Sequence, residues 1–151
     1  MKKSTRRLCL LLFALYALLL LLLLLFQRTP RSGHSYNLVP LRTIRGYWLV
    51  LSREIDGGLP LLRYAVTNFA GNLLAFLPLG FFLPLLFSRQ RRFPLFLLTA
   101  VGIIVLVELL QLLSRRGALD VDDLLLNLPG ACLGWLIWAL ASRRKAKKDS
   151  S

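Results

Sequence analysis

Four stretches of this chain carry almost no charge over the length that a bilayer's hydrocarbon core demands, about 20 residues at a helical rise of about 1.5 Å each. They run from Leu8 to Phe26, Phe69 to Phe87, Pro94 to Leu113 and Leu124 to Ala141. Backbone polar groups in lipid must be satisfied within their own segment, so each run is read as a helix. The pattern predicts an all-α, polytopic membrane protein with four transmembrane helices. A mean hydropathy of +0.62 and a hydrophobic fraction of 56% in 151 residues agree, being too apolar for an ordinary soluble domain. Pro78 and Pro84 inside the second run predict a kink there, and Pro129 falls near the start of the fourth.

The first run follows Lys2, Lys3, Arg6 and Arg7, like the charged head of a secretory signal. It is longer than the usual signal core, and its end, "LLFQRTPRSG", offers no small-residue cleavage pattern, so it is expected to remain as a signal anchor. Lys and Arg near span ends are held on the cytoplasmic side. The basic N-terminus, the Arg89, Arg91 and Arg92 loop, and the tail with Arg143, Arg144, Lys145, Lys147 and Lys148 all fall on one side of a four-span topology. The chain then divides into a basic cytoplasmic N-terminus (1–7), a four-helix domain (8–141) with a long outer loop (27–68), and a basic cytoplasmic tail (142–151). This predicts a multi-pass protein of the cytoplasmic membrane with both termini inside. The net charge of +13 is accounted for as a topology signal. No aromatic and basic interleaving accompanies it, so no nucleic-acid partner is expected.

Once the spans are oriented, their few polar residues can be placed by depth. Asn72 lies about one turn below the outer boundary of the second span, Glu108 and Gln111 occupy the last turn and a half of the third, and Asn127 lies about one turn into the fourth. An ionisable residue at membrane depth is costly and usually faces the bundle or a wet cavity. Glu108 and Gln111 share a helical face, as do Asp123 and Asn127, and Asn68 and Asn72. Three helices therefore present polar stripes at one level. Asp120, Asp122 and Asp123 would rim an outward-facing acidic pocket floored by these residues. The competing reading is capping: Asp is a favoured N-cap, and acids in a first turn are stabilised by the helix dipole. Capping alone does not require three acids and leaves Glu108 and Asn72 unexplained.

Other features have plainer readings. Gly130 and Gly134 form a small-residue pair suited to close helix packing, and Asn68 suits a cap of the second span. The aromatic residues Tyr47, Trp48, Trp135 and Trp138 suit packing or a membrane interface. His34 is read as a solvated loop residue. Cys9 and Cys132 lie alone in separate spans, so no disulfide is expected. No zinc motif, phosphate loop, dinucleotide fingerprint or nucleophile elbow is present.

Four pieces, "NLVPLRTI" (37–44), "GNLLAFLPLGFFLPLLF" (71–87), "VELLQ" (107–111) and "LDVDDLLLNLPGACLG" (119–134), resemble in order and spacing the VanZ-like family of small, mainly bacterial membrane proteins. The namesake is associated with resistance to the glycopeptide teicoplanin. The resemblance covers most of the chain from Asn37 to Trp138. It marks Asn37, Asn72, Glu108, Gln111, Arg116, Asp120, Asp122, Asp123 and Asn127 as candidate ligand-binding residues, nearly the layer that depth picks out. Two departures are visible: Leu-Asp-Val-Asp-Asp replaces the commoner Phe-Asp-Ile-Asp-Asp, and Leu128-Pro129-Gly130 replaces Thr-Leu-Gly.

The family supplies no agreed reaction, so function must come from the site. The first expectation is a non-enzymatic envelope protein. Its acidic, amide-lined pocket would bind a cationic or amide-rich ligand, such as a glycopeptide or a cell-wall lipid precursor, without any cofactor. The alternative is a membrane-embedded enzyme on a lipid-linked phosphate. In that case the carboxylates would hold Mg²⁺, and Arg115 and Arg116 the phosphate. Transport with Glu108 as a proton relay is a third possibility, and no internal repeat points to it. Membrane lipids are the remaining expected partner.

Overall fold

The computed structural model describes residues 3–26, 35–52, 58–114 and 118–149. In chain order the elements are α1 (Lys3–Phe26), a short strand β1 (Ser35–Asn37), α2 (Arg42–Leu51) and α3 (Gly58–Leu86). A single 3-10 turn (Ser88–Arg91) leads to α4 (Phe93–Leu113), then β2 (Ala118–Asp120) and α5 (Val121–Asp149). Among the described residues, α1, α3, α4 and α5 are long and apolar enough to cross a membrane. The fold is all-α, and its membrane character is that of a multi-pass protein.

The closest packing is between α3 and α5, and small residues allow it. A side-chain carbon added at Gly130 would stand 2.1 Å from the Leu73 carbonyl oxygen, one at Gly134 would stand 2.0 Å from that of Leu77, and one at Gly80 would stand 1.8 Å from that of Ala131. Only hydrogen fits at these points, so the two backbones lie directly against each other. The packing role read for Gly130 and Gly134 is the one they have, with Gly80 as their counterpart on α3. α4 closes the core by burying Phe96, Ala100, Ile104 and Val107, a stripe at helical spacing, beside Phe76, Leu79 and Leu83 of α3.

α1 is attached more lightly. Phe13, Tyr16 and Leu20 pack on the core, and the Tyr16 hydroxyl donates to the Ala75 carbonyl at 2.6 Å. Between α1 and α3 lies an apolar groove of about 330 Å³, walled by residues such as Leu12, Leu15, Leu19, Leu74 and Pro78.

At the opposite end from β1 and β2, Trp135 donates through Nε1 to the Gln90 carbonyl at 3.0 Å, and the Arg91 guanidinium lies 6.0 Å from the centre of the Trp138 ring. Phe93 and Phe96 complete this aromatic group. Cys9 and Cys132 are free thiols.

Several boundaries differ from those expected. The long loop assigned to 27–68 contains α2 and the first eleven residues of α3, from Gly58 to Asn68. Arg63, Thr67 and Asn68 lower the local hydropathy there without stopping a helix, because helix length is not limited to the hydrocarbon thickness. Asn68 consequently does not cap a span; it sits in mid-helix, and its Nδ2 donates to the Tyr64 carbonyl at 2.7 Å. α5 also continues through the basic tail to Asp149, past the apolar run that ends at Ala141. Pro78, Pro84 and Pro129 lie inside helices that run on through them.

Candidate functional site

Two chain segments expected to share a side of the membrane meet at one end of the bundle. β1 pairs in parallel with β2 in the register Ser35 to Ala118, Tyr36 to Leu119 and Asn37 to Asp120. Asn37 also arranges the turn that follows. Its Oδ1 accepts from the Val39 N–H at 3.4 Å, and its Nδ2 donates to the Thr43 hydroxyl at 3.3 Å. The chain then passes through Leu41 in the left-handed conformation, φ 65°, and enters α2 with no capping side chain of its own.

The missing cap comes from α5. Asp122 is fully buried, and its carboxylate accepts from three backbone N–H groups at the start of α2: Leu41 at 2.5 Å, Thr43 at 2.6 Å and Ile44 at 3.3 Å. The first N–H groups of a helix have no partners within it, and the helix dipole favours an anion there. Asp122 therefore caps a helix some eighty residues away in the chain. Asp122 thus supplies capping chemistry to a helix other than its own.

Asp123, the next residue, turns to α3. It is 7% exposed, and its Oδ1 accepts from Asn72 Nδ2 at 3.3 Å. Asn72 is fourteen residues from the first residue of α3, not one turn from its end, so α3 stands roughly 20 Å beyond this level. Glu108 and Gln111 lie five and two residues before the end of α4, and Asn127 lies in the second turn of α5. All three are buried, at 5%, 0% and 3% exposure.

The burial pattern is selective. Among the described residues, the buried polar or charged side chains are Glu108, Gln111, Asp122, Asp123 and Asn127, and all belong to this one end of the bundle. They are acids and amides, with no buried Lys, Arg or His among the described residues. Asn127 Oδ1 is buried with no hydrogen-bond partner among the described residues. An unpaired buried amide oxygen costs about 1–3 kcal/mol, and a donor from a ligand would relieve that cost.

Of the nine residues singled out from sequence, the structure brings Asn72, Glu108, Gln111, Asp122, Asp123 and Asn127 to this end as buried or half-buried side chains. Asn37 is placed beside them through the strand pairing, while Asp120 is fixed by its backbone and its side chain lies outside the described residues. Arg116, with Arg115 and His34, also lies outside the described residues. Asp122 and Asp123 do not line an open rim as expected, because both are covered and α2 closes over Asp122. Among the described residues no group of three or more His, Cys, Asp and Glu is arranged to hold a metal ion. Missing from the sequence reading were the amides of Leu41, Thr43 and Ile44, which carry no residue signature.

Comparison with known proteins decides the family. The VanZ/LLP1 family profile matches residues 13–142. The chain belongs to the VanZ/LLP1 family. No curated protein and no solved structure matches it. In this VanZ-like protein the four motif pieces occupy the junction of β1 and α2, the body of α3, the end of α4, and β2 with the first half of α5. The polar positions of those pieces come together at one end of the bundle.

Proposed function

We propose that this VanZ-like protein is a non-enzymatic module of the cell envelope. Its buried acid and amide cluster takes up a cationic or amide-rich ligand, such as a glycopeptide or the peptide of a cell-wall lipid precursor, and so contributes to glycopeptide resistance. The observation that carries this reading is the gathering of every buried polar side chain among the described residues at one end of an otherwise apolar bundle. Buried acids and amides are costly and are kept where they meet donors. The orphan Asn127 oxygen is a ready acceptor for an amide or ammonium group.

The cluster faces the outer leaflet of the cytoplasmic membrane, and both termini are cytoplasmic. The support is charge. Arg89, Arg91 and Arg92 lie in the α3–α4 connection, and Arg143 and Arg144 lie late in α5, at the end away from the cluster. Phe13 of α1 packs on Phe82 of α3, which carries Arg6 and Arg7 to that same end. Basic segments gathered at one end are retained in the cytoplasm. α2 lies over Asp122 and has to shift for a ligand to enter.

The test compares cells expressing wild type, Asp123→Asn or Glu108→Gln at equal membrane levels. Teicoplanin protection by the wild type, lost in both variants, is expected. Full protection by both variants at matched levels would remove the cluster from the function.

A further inference from the structure

The outer face of α2 carries chemistry that the buried cluster does not use. Arg42, Arg45 and Trp48 are exposed along this helix and Leu41 is exposed just before its first residue, while Ile44 and Tyr47 are half-buried. Leu41 is 57% and Trp48 66% exposed, and the two arginines beside them are exposed as well. Tyr47 packs edge-on against Tyr64 of α3 with ring centres 6.3 Å apart, which brings the exposed Arg63 and Tyr64 to the same region. Among the described residues no carboxylate pairs with Arg42, Arg45 or Arg63. At ten residues α2 is about 15 Å long, too short to cross a bilayer.

We propose that this face is a docking surface for the phosphate of an anionic phospholipid, with Trp48 and Leu41 seated among the upper acyl carbons and Arg42 and Arg45 on the headgroup. Charge complementarity selects the occupant. Three guanidiniums with no carboxylate partner among the described residues, beside an exposed indole, form the combination that holds a short helix in the headgroup layer. Arginine meets a phosphate bidentately, which phosphatidylcholine's own choline partly offsets and phosphatidylglycerol does not. α3, at 29 residues, is about 43 Å long against roughly 30 Å of hydrocarbon, so its first turns, which carry Arg63 and Tyr64, reach the headgroup layer at the level of α2. The surface faces away from the buried cluster, and the proposal does not rest on what the cluster binds.

The test uses the full chain reconstituted in phosphatidylcholine vesicles containing either brominated phosphatidylcholine or brominated phosphatidylglycerol, with quenching of tryptophan fluorescence as readout. The contribution of Trp48 is the difference between wild type and Trp48→Phe, which leaves Trp135 and Trp138 in place. Stronger quenching by brominated phosphatidylglycerol is expected. Arg42→Gln with Arg45→Gln should reduce that preference by about fivefold per arginine. Inorganic phosphate added to the vesicles should leave the preference in place; if it abolishes it, the arginines hold a soluble anion and the lipid proposal fails. Equal quenching by the two lipids, or a preference that survives loss of both arginines, overturns it. Trp48 left unquenched by either lipid would mean that this face meets water or an acidic protein segment, and would overturn it too.

Discussion

Replacing Asp122 with asparagine should release α2 while leaving the four-helix bundle intact. The carboxylate serves the N–H groups of Leu41, Thr43 and Ile44, at 2.5, 2.6 and 3.3 Å. The substituted amide would keep the volume but offer one acceptor oxygen, and its NH₂ would face donors on the other side. Hydrogen bonds to a charged group contribute about 1.5–3 kcal/mol each, against about 0.5–1.5 for neutral ones. Losing one short charged bond and weakening another gives roughly 3 kcal/mol, about a hundredfold in the docking equilibrium of α2. Leu41 adds to the effect, because its left-handed backbone conformation costs about 1–2 kcal/mol and needs the surrounding contacts to hold it. Amide hydrogen exchange followed by mass spectrometry, on protein in lipid nanodiscs, reads this directly. Protection over residues 41–51 should fall by about two orders of magnitude in Asp122→Asn, with α3, α4 and the membrane part of α5 unchanged. Asp123→Asn is the control and should leave α2 protected. Equal protection of α2 in wild type and Asp122→Asn would refute the idea that this carboxylate holds the helix.

Two further substitutions test the packing. Gly134→Leu places a side chain against the Leu77 carbonyl and should separate α3 from α5, at a cost of about 3 kcal/mol or more in thermal stability. Gly102→Leu, where nothing lies within 4 Å, should change the melting temperature little, and similar losses for both would show that the α3–α5 contact is not what Gly134 protects. Tyr16→Phe removes the bond to the Ala75 carbonyl, and in membrane helices such bonds average about 0.6 kcal/mol. The expected result is a small stability loss together with a several-fold rise in reaction of Cys9 with a lipid-soluble thiol reagent. No change in Cys9 reactivity would mean that Tyr16 does not anchor α1.

The four spans were legible because hydrophobic length is a direct physical requirement of the bilayer. α2 was not. Ile44, Tyr47 and Leu51 recur at helical spacing, but Gly46 and the arginines break the apolar run, and the helix has no capping residue in its own sequence. Its cap, Asp122, is supplied by the fold, so no local reading could have found it. Glu108, Gln111 and Asn127, expected from their depth to face the bundle, are buried in it, since a polar residue inside an apolar run shows in the sequence itself. Asn72 meets Asp123 well inside its helix, because α3 begins eleven residues before its apolar run. Arg116 lies outside the described residues.

The paired aspartates at the start of α5 follow from helix geometry. Successive residues on a helix point about 100° apart, so two adjacent acids in one turn reach different neighbours. Asp122 reaches the backbone of α2, and Asp123 reaches the side-chain amide of Asn72 on α3. The first turn is also where a helix tolerates two negative charges best, because its own dipole favours them. Just before them, Asp120 ends the strand that pairs with β1, opposite Asn37, so the short "LDVDD" stretch joins β1, α2 and α3 to α5. Capping α5 alone would need one acid; linking three other elements at one point needs side chains that diverge. The two carboxylates should then separate cleanly under substitution. Asp122→Asn loosens α2 and opens the cluster, while Asp123→Asn leaves α2 in place and changes what lies beneath it. If both variants gave the same exchange pattern and the same susceptibility, this division of roles between adjacent residues would be wrong.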